Sequence, residues 1–182
     1  MKTGVLQLGI PLILLMMMGT GCATLSEHQC AKEDWHTIGY NDGVNGYQHT
    51  RMDTHQKACA EYGIVIDRTE YLAGYDKGLQ QYCIPLNGYQ VGLAGETYLG
   101  ICTGPLAEEF IKHYQGGKRE YDIRQRLDEI EKKVDEINKK LNETRLSTNE
   151  RRNFKHQRNE LEKEKMILLI ESSSKNVLDA GQ

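Results

Sequence analysis

Proline is scarce in this chain, with three residues, and phenylalanine and tryptophan are scarcer still, with two and one. So few prolines exclude a proline-rich spacer, and so few large apolar rings exclude a core built mainly on Phe and Trp. Long hydrophobic runs are also missing. The one apolar stretch, Val5 to Met18, covers about 14 residues, where a membrane-crossing helix needs about 20. Charge of one sign does not dominate: the net charge is −3 and the isoelectric point near 6.1, which gives no indication of a nucleic-acid partner. Cys-x-x-Cys and His-Glu-x-x-His motifs are absent, so no compact metal signature is present. Aliphatic side chains are sparse between Cys22 and Gly104, and a small domain of that composition needs staples besides its core.

What the chain has instead is glycine, tyrosine and cysteine, with 18, ten and five residues. Gly39-Tyr40-Asn41-Asp42-Gly43-Val44-Asn45-Gly46-Tyr47 returns as Gly74-Tyr75-Asp76-Lys77-Gly78-Leu79-Gln80-Gln81-Tyr82. It returns again as Gly88-Tyr89-Gln90-Val91-Gly92, and as His113-Tyr114-Gln115-Gly116-Gly117-Lys118-Arg119-Glu120-Tyr121 with histidine leading. The copies stand about 35, 14 and 25 residues apart, too irregular for a solenoid. They read as one packing device used repeatedly within one domain. Trp35, Gly39, Gly43 and Gly46 fall on one side of a helix. A glycine inside a helix costs about 1 kcal/mol relative to alanine, so such a seam implies close approach of a second helix. Turn glycines in an irregular segment are the other reading.

The amino-terminal segment reads as a signal peptide, residues 1–21. Lys2 gives a positive start, the apolar run follows, and Gly19-Thr20-Gly21-Cys22 resembles the lipobox of bacterial lipoproteins, departing from it at Gly19, where leucine is usual. That resemblance implies cleavage before Cys22 and attachment of acyl chains there, a firm anchor because several chains are used. Ala23, rather than Asp, follows the cysteine, which implies the outer membrane with the domain facing the periplasm. An ordinary secreted protein with Cys22 as a fifth thiol is the alternative.

Cys30, Cys59, Cys83 and Cys102 remain, an even number, and an oxidising compartment makes two disulfides the natural reading. Of the three possible pairings, Cys30–Cys59 with Cys83–Cys102 is favoured, because each closes a moderate loop around the repeat copies.

Along the chain, Ala23 to Gln29 reads as a short tether. Asp34 is expected to open a helix at Trp35, Asp53-Thr54 a second, and Asp67 a third that Pro85 ends. Residues 87–104 fit either a third glycine-seam helix or a compact loop. From Pro105 a helix is expected up to Gly116-Gly117. Beyond that pair, Ile123, Leu127, Ile130, Val134, Ile137 and Leu141 alternate at fours and threes, a heptad seam. Ser147-Thr148-Asn149-Glu150 is a capping-box pattern that restarts the helix. Phe154, Leu161 and Leu168 follow at sevens, with Gln157 and Glu164 between them. An antiparallel hairpin would set Leu161 near Ile130 and Leu168 near Ile123. The fold class expected is therefore mainly α: a disulfide-stapled glycine-seam domain over 22–117, a coiled-coil hairpin over 118–175 and a flexible tail over 176–182.

The joint pattern of Cys30, Trp35, Gly39, Asp42-Gly43, Gly46, Cys59, Tyr71, Gly74, Gly78-Leu79, Tyr82-Cys83, Gly92, Gly95, Tyr98 and Cys102 resembles a family of small proteobacterial lipoproteins classed as a domain of unknown function. The likeness runs from Cys22 to about Gly117. It implies class and location, with no activity to carry over.

Several chemistries compete with a structural role. His28, Cys30 and His36, or His55 with Cys59, have chelating spacings, but the cysteines already have a disulfide role, so no metal and no cofactor are expected. Asp42 and Asp76 are candidate paired carboxylates. They occupy different columns of the repeat and read as solvated helix faces, so an enzyme is not expected. Trp35, Tyr40, Tyr47, Tyr75 and Tyr82 form a candidate binding surface, since tyrosine presents an apolar ring with a polar tip. The function expected is a non-enzymatic, lipid-anchored envelope component acting through a protein partner or self-association of the coiled coil. The alternative is a peptidoglycan- or glycan-binding module that uses the tyrosines.

Overall fold

The computed structural model describes residues 23–179; residues 1–21, the expected lipid-attachment Cys22, and 180–182 lie outside the described residues, and of 174–179 only the backbone is described. The described residues form seven helices: α1 (Glu27–Lys32), α2 (Trp35–Val44), α3 (Arg51–Ala60), α4 (Arg68–Tyr82), α5 (Pro85–Leu93), α6 (Pro105–Leu141) and α7 (Thr148–Asp179). No strand occurs among the described residues. Four of the helix starts, those of α1, α2, α4 and α7, follow short polar side chains that satisfy orphan amides. The Asp34 carboxylate accepts from the Thr37 N–H at 3.1 Å, and Asp67 accepts from the N–H groups of Thr69 and Glu70. Ser26 with Gln29, and Ser147 with Glu150, form reciprocal capping boxes.

Several boundaries differ from the sequence expectation. Helix α3 opens at Arg51 rather than Asp53, and its cap residue, Thr50, makes no side-chain cap bond. Pro85 begins α5 instead of ending α4, a position where its missing N–H costs nothing. Residues 87–104 are helical to Leu93 and irregular afterwards, so each reading held for part of the stretch. Gly46 lies past the end of α2 with φ +72°, a helix-terminating conformation that glycine adopts without strain. Helix α6 continues unbroken through Gly116-Gly117, so the boundary expected at 117/118 falls inside one helix. Helix α7 runs to Asp179, into the stretch expected to be a tail.

The four glycine copies resolve into two couples. Helix α2 packs on α4, and α5 packs on α6. Gly39 approaches the Tyr71 carbonyl and Gly43 the Tyr75 carbonyl, while Gly74 approaches that of His36 and Gly78 that of Tyr40. Residue numbers rise together on both helices, so the pair is parallel. The second couple repeats this: Gly88 meets the Phe110 carbonyl, Gly92 that of Tyr114, and Gly117 that of Tyr89. A Cβ at any of these seven positions would overlap backbone. The eighth corner is His113, opposite the point where α5 has only just begun at Pro85.

The likeness of the couples extends to their ends. After α2, the amides of Asn45, Gly46 and Tyr47 bond to the carbonyls of Asn41, Gly43 and Asp42. After α5, those of Ala94, Gly95 and Glu96 bond to Gln90, Gly92 and Val91 in the same pattern. Gly46 lies under the Tyr82 ring and Gly95 under the Tyr121 ring. The Tyr75 hydroxyl donates to the Tyr47 carbonyl at 2.7 Å, and the Tyr114 hydroxyl to the Glu96 carbonyl at 3.0 Å. One disulfide belongs to each couple: Cys30–Cys59 ties the segment before α2 to the connection before α4, and Cys83–Cys102 does the same around α5 and α6. Bridges of this kind contribute typically about 2–4 kcal/mol each. The domain is therefore two copies of one unit: a first helix, a stapled connection, and a second helix parallel to the first. The units meet where Tyr82 stacks on Phe110, ring centroids 5.2 Å apart.

Beyond the second unit, α6 and α7 form an antiparallel hairpin. Ile123, Ile130 and Ile137 are buried, at intervals of seven, whereas Leu127, Val134 and Leu141 are half-exposed. The difference lies in α7, where Gln157 and Glu164 stand between Phe154, Leu161 and Leu168. Arg126 holds Glu164 with two parallel hydrogen bonds, at 2.7 and 2.9 Å, and Lys165 reaches Glu131 at 2.8 Å.

Candidate functional site

The first unit contains a buried polar cluster that its sequence pattern does not announce. Among the described residues Asp42 on α2 and His55 on α3 are the two buried polar or charged ones, and Tyr71 on α4 is fully buried. The Tyr71 hydroxyl donates to Asp42 Oδ2 at 2.7 Å, and His55 Nε2 lies 2.7 Å from the same oxygen. With Asp42 ionised, that nitrogen carries the proton. Arg51 Nε stands 3.2 Å from Asp42 Oδ1 at an angle unsuited to a hydrogen bond, so this contact is ionic. The guanidinium also covers the Tyr47 ring, 3.8 Å from its centroid. His55 Nδ1 pairs with the Thr24 hydroxyl at 2.7 Å.

Burial shapes the titration of the rings. The Tyr71 hydroxyl is driven well above the ordinary tyrosine range, chiefly by desolvation and then by its bond to the Asp42 carboxylate. Tyr75 is pushed up to about 12, again chiefly by burial, with the charges of Asp42 and Asp76 adding to it. Burial also raises Tyr82.

The equivalent space in the second unit is apolar. Val91 takes the place of Asp42, three residues past its leading glycine, and Phe110 takes that of Tyr71. Tyr98, four residues before Cys102 as His55 is before Cys59, lays its ring on Phe110 at 4.8 Å. Its hydroxyl accepts from the Cys102 N–H instead of reaching a charge.

Three expectations are overturned here. Asp42 is not on a solvated face, because glycine-mediated closure of α2 on α4 draws it under Tyr71; Asp76 is exposed. The aromatic surface also loses two members. Trp35 and Tyr75 are each only 4% exposed, in a core with Leu25, Met52 and the Cys30–Cys59 bridge. Tyr40 and Tyr47 are 38% and 41% exposed, and Tyr82 is half-buried against Phe110. The five rings therefore do not form one surface. Ala23 to Gln29 is not a loose tether either, since Leu25 is buried and α1 begins at Glu27. Cys30, Cys59, Cys83 and Cys102 are all engaged in bridges.

The arm offers the widest apolar exposure. Met166, Ile167, Leu169 and Ile170 stand uncovered on consecutive turns of α7. Nearer the hairpin turn, a groove of about 460 Å³ runs between Ile137, Phe154 and Leu161, edged by Lys133, Lys140 and Glu160. No helix among the described residues is long and apolar enough to cross a membrane.

No curated protein and no solved structure matches the chain. Residues 34–119, which hold both glycine-packed couples and leave out most of the arm, match the family model described as Protein of unknown function (DUF2799).

Proposed function

We propose that this protein is a lipid-anchored, non-enzymatic component of the bacterial envelope, facing the periplasm from the outer membrane, whose helical arm engages a protein partner. The observation that carries the anchor is Gly19-Thr20-Gly21-Cys22 after an apolar run, followed by Ala23. Two disulfides agree with an oxidising compartment. A structural rather than catalytic role is supported by the polar cluster itself. Its groups are consumed by one another: Asp42 accepts from Tyr71 and His55 and faces Arg51, and both His55 nitrogens are engaged. A catalytic centre needs groups aimed at a reacting atom.

The uncovered side chains Met166, Ile167, Leu169 and Ile170 support the arm as the contact surface. The test is crosslinking in cells followed by mass spectrometry, with the four residues replaced together by serine or glutamine. Crosslinks from the arm to a neighbouring chain are expected and should disappear in the variant. Unchanged crosslinks would refute the arm as the contact surface. Salt-resistant retention on cell-wall sacculi, lost on replacing Tyr40 and Tyr47, would favour glycan recognition instead.

A further inference from the structure

The opening residues of the mature chain are docked where the sequence predicts a tether. Leu25 is buried in the first core, and the Thr24 hydroxyl sits 2.7 Å from His55 Nδ1. Behind His55 stands Asp42, itself held by Tyr71 and Arg51. The second unit closes the same frame with Val91, Tyr98 and Phe110, so the frame itself does not require charged groups. What the polar version adds is a buried nitrogen that grips a hydroxyl outside the frame, and that hydroxyl is two residues from Cys22.

We propose that Thr24, His55 and Asp42 form a latch that seats the domain directly on the bilayer in one orientation, with the face bearing Thr24 turned toward the phospholipid headgroups. The proposal rests on the lipid-anchor reading. Two extended residues span at most about 7 Å, which bounds the distance from an acylated Cys22 to Thr24. A free seven-residue tether over 23–29 would instead wander with an end-to-end distance of about 15 Å and permit any orientation. Because α6 runs unbroken from the second unit into the arm, seating the domain also sets the direction in which the arm leaves the surface.

Trp35 is the single tryptophan and serves as the probe. The full acylated protein is placed in vesicles of phosphatidylethanolamine and phosphatidylglycerol carrying a dansyl-labelled headgroup. Energy transfer from Trp35 is then read together with hydrogen exchange of amides 24–26. Thr24→Val removes the gripped hydroxyl at the edge of the cluster. A second variant, Asp42→Val with His55→Leu and Tyr71→Phe, gives the first unit an apolar centre like that of the second and removes the grip. Both are expected to lower energy transfer and to speed exchange of these amides at least tenfold. Vesicle-bound variants with unchanged transfer and exchange would overturn the latch alone. An amino-terminal peptide with no acyl mass, and a protein that does not float with vesicles, would overturn the anchor reading and the proposal with it.

Discussion

The first unit fills the space between its parallel helices with Asp42, His55 and Tyr71; the second fills it with Val91, Tyr98 and Phe110. Around these different centres the backbones agree down to the carbonyl that each glycine meets and the bond that each second-helix tyrosine donates. The glycine contacts and the staple therefore define the fold, while the centre is free to vary. A buried charge cluster stabilises little relative to an apolar filling of equal volume, but losing one member leaves the others unpaired. The two units place both solutions in one molecule.

The largest effect expected follows from that asymmetry. Asp42→Ala leaves His55 and Tyr71 without their shared acceptor and Arg51 without its counter-charge, and should cost about 3–5 kcal/mol in urea unfolding. Val91→Ala, the matching change in the second unit, removes two methyl groups and strands no polar partner, and should cost roughly 1.5–2.5 kcal/mol.

Next come the adjacent glycines of α6. Gly117→Ala forces a Cβ onto the Tyr89 carbonyl and should cost near the upper end of the roughly 1–3 kcal/mol typical of overpacking. At Gly116 the nearest atom to an added Cβ is on the Tyr89 ring, 3.9 Å away, so Gly116→Ala should stabilise by up to about 1 kcal/mol. Thermal unfolding followed by circular dichroism separates the two. Equal effects would show that α5 and α6 are not held by the glycine seam.

High pH tests burial of the rings in the first unit. Tyr75 titrates at an ordinary value of 10 when unfolded and about 12 when folded, so its contribution is intact below pH 10 and is lost as pH rises to 12. Two units correspond to about 2–3 kcal/mol. Tyrosinate absorbance should therefore stay short of full ionisation until the chain unfolds. Coincident ionisation of all ten tyrosines near pH 10 would contradict the burial of Tyr71 and Tyr75.

The smallest effect lies outside the units. Arg126→Ala breaks the exposed pair with Glu164, and its consequence for global unfolding should be too small to resolve. A large effect would mean that the arm supports the domain.

The sequence made the glycine spacing and the heptad seam legible because both are periodic and local. Which copies pair was not legible from spacing alone. A usable signal was present in the endings: Gly39-x-x-x-Gly43-x-x-Gly46 matches Gly88-x-x-x-Gly92-x-x-Gly95, whereas three residues after Gly78 and Gly117 stand Gln81 and Glu120 in place of that third glycine. One class marks first helices and the other second helices. The buried cluster carried no such signal. Asp42, His55 and Tyr71 come from three helices, 13 and 29 residues apart from Asp42, and Asp42 alone looks like any polar residue on a helix face. The docking of Thr24 and Leu25 was hidden for the same reason, since its partner stands 31 residues away.

The central claim is that the frame tolerates either centre, and the direct test is urea unfolding of Asp42→Val, His55→Leu, Tyr71→Phe beside Asp42→Ala. A cooperative transition within about 1–2 kcal/mol of the parent is predicted for the triple variant, far above the single variant. A triple variant as unstable as Asp42→Ala, or without a cooperative transition, would show that the polar centre is required by the fold and that the two units are not equivalent frames.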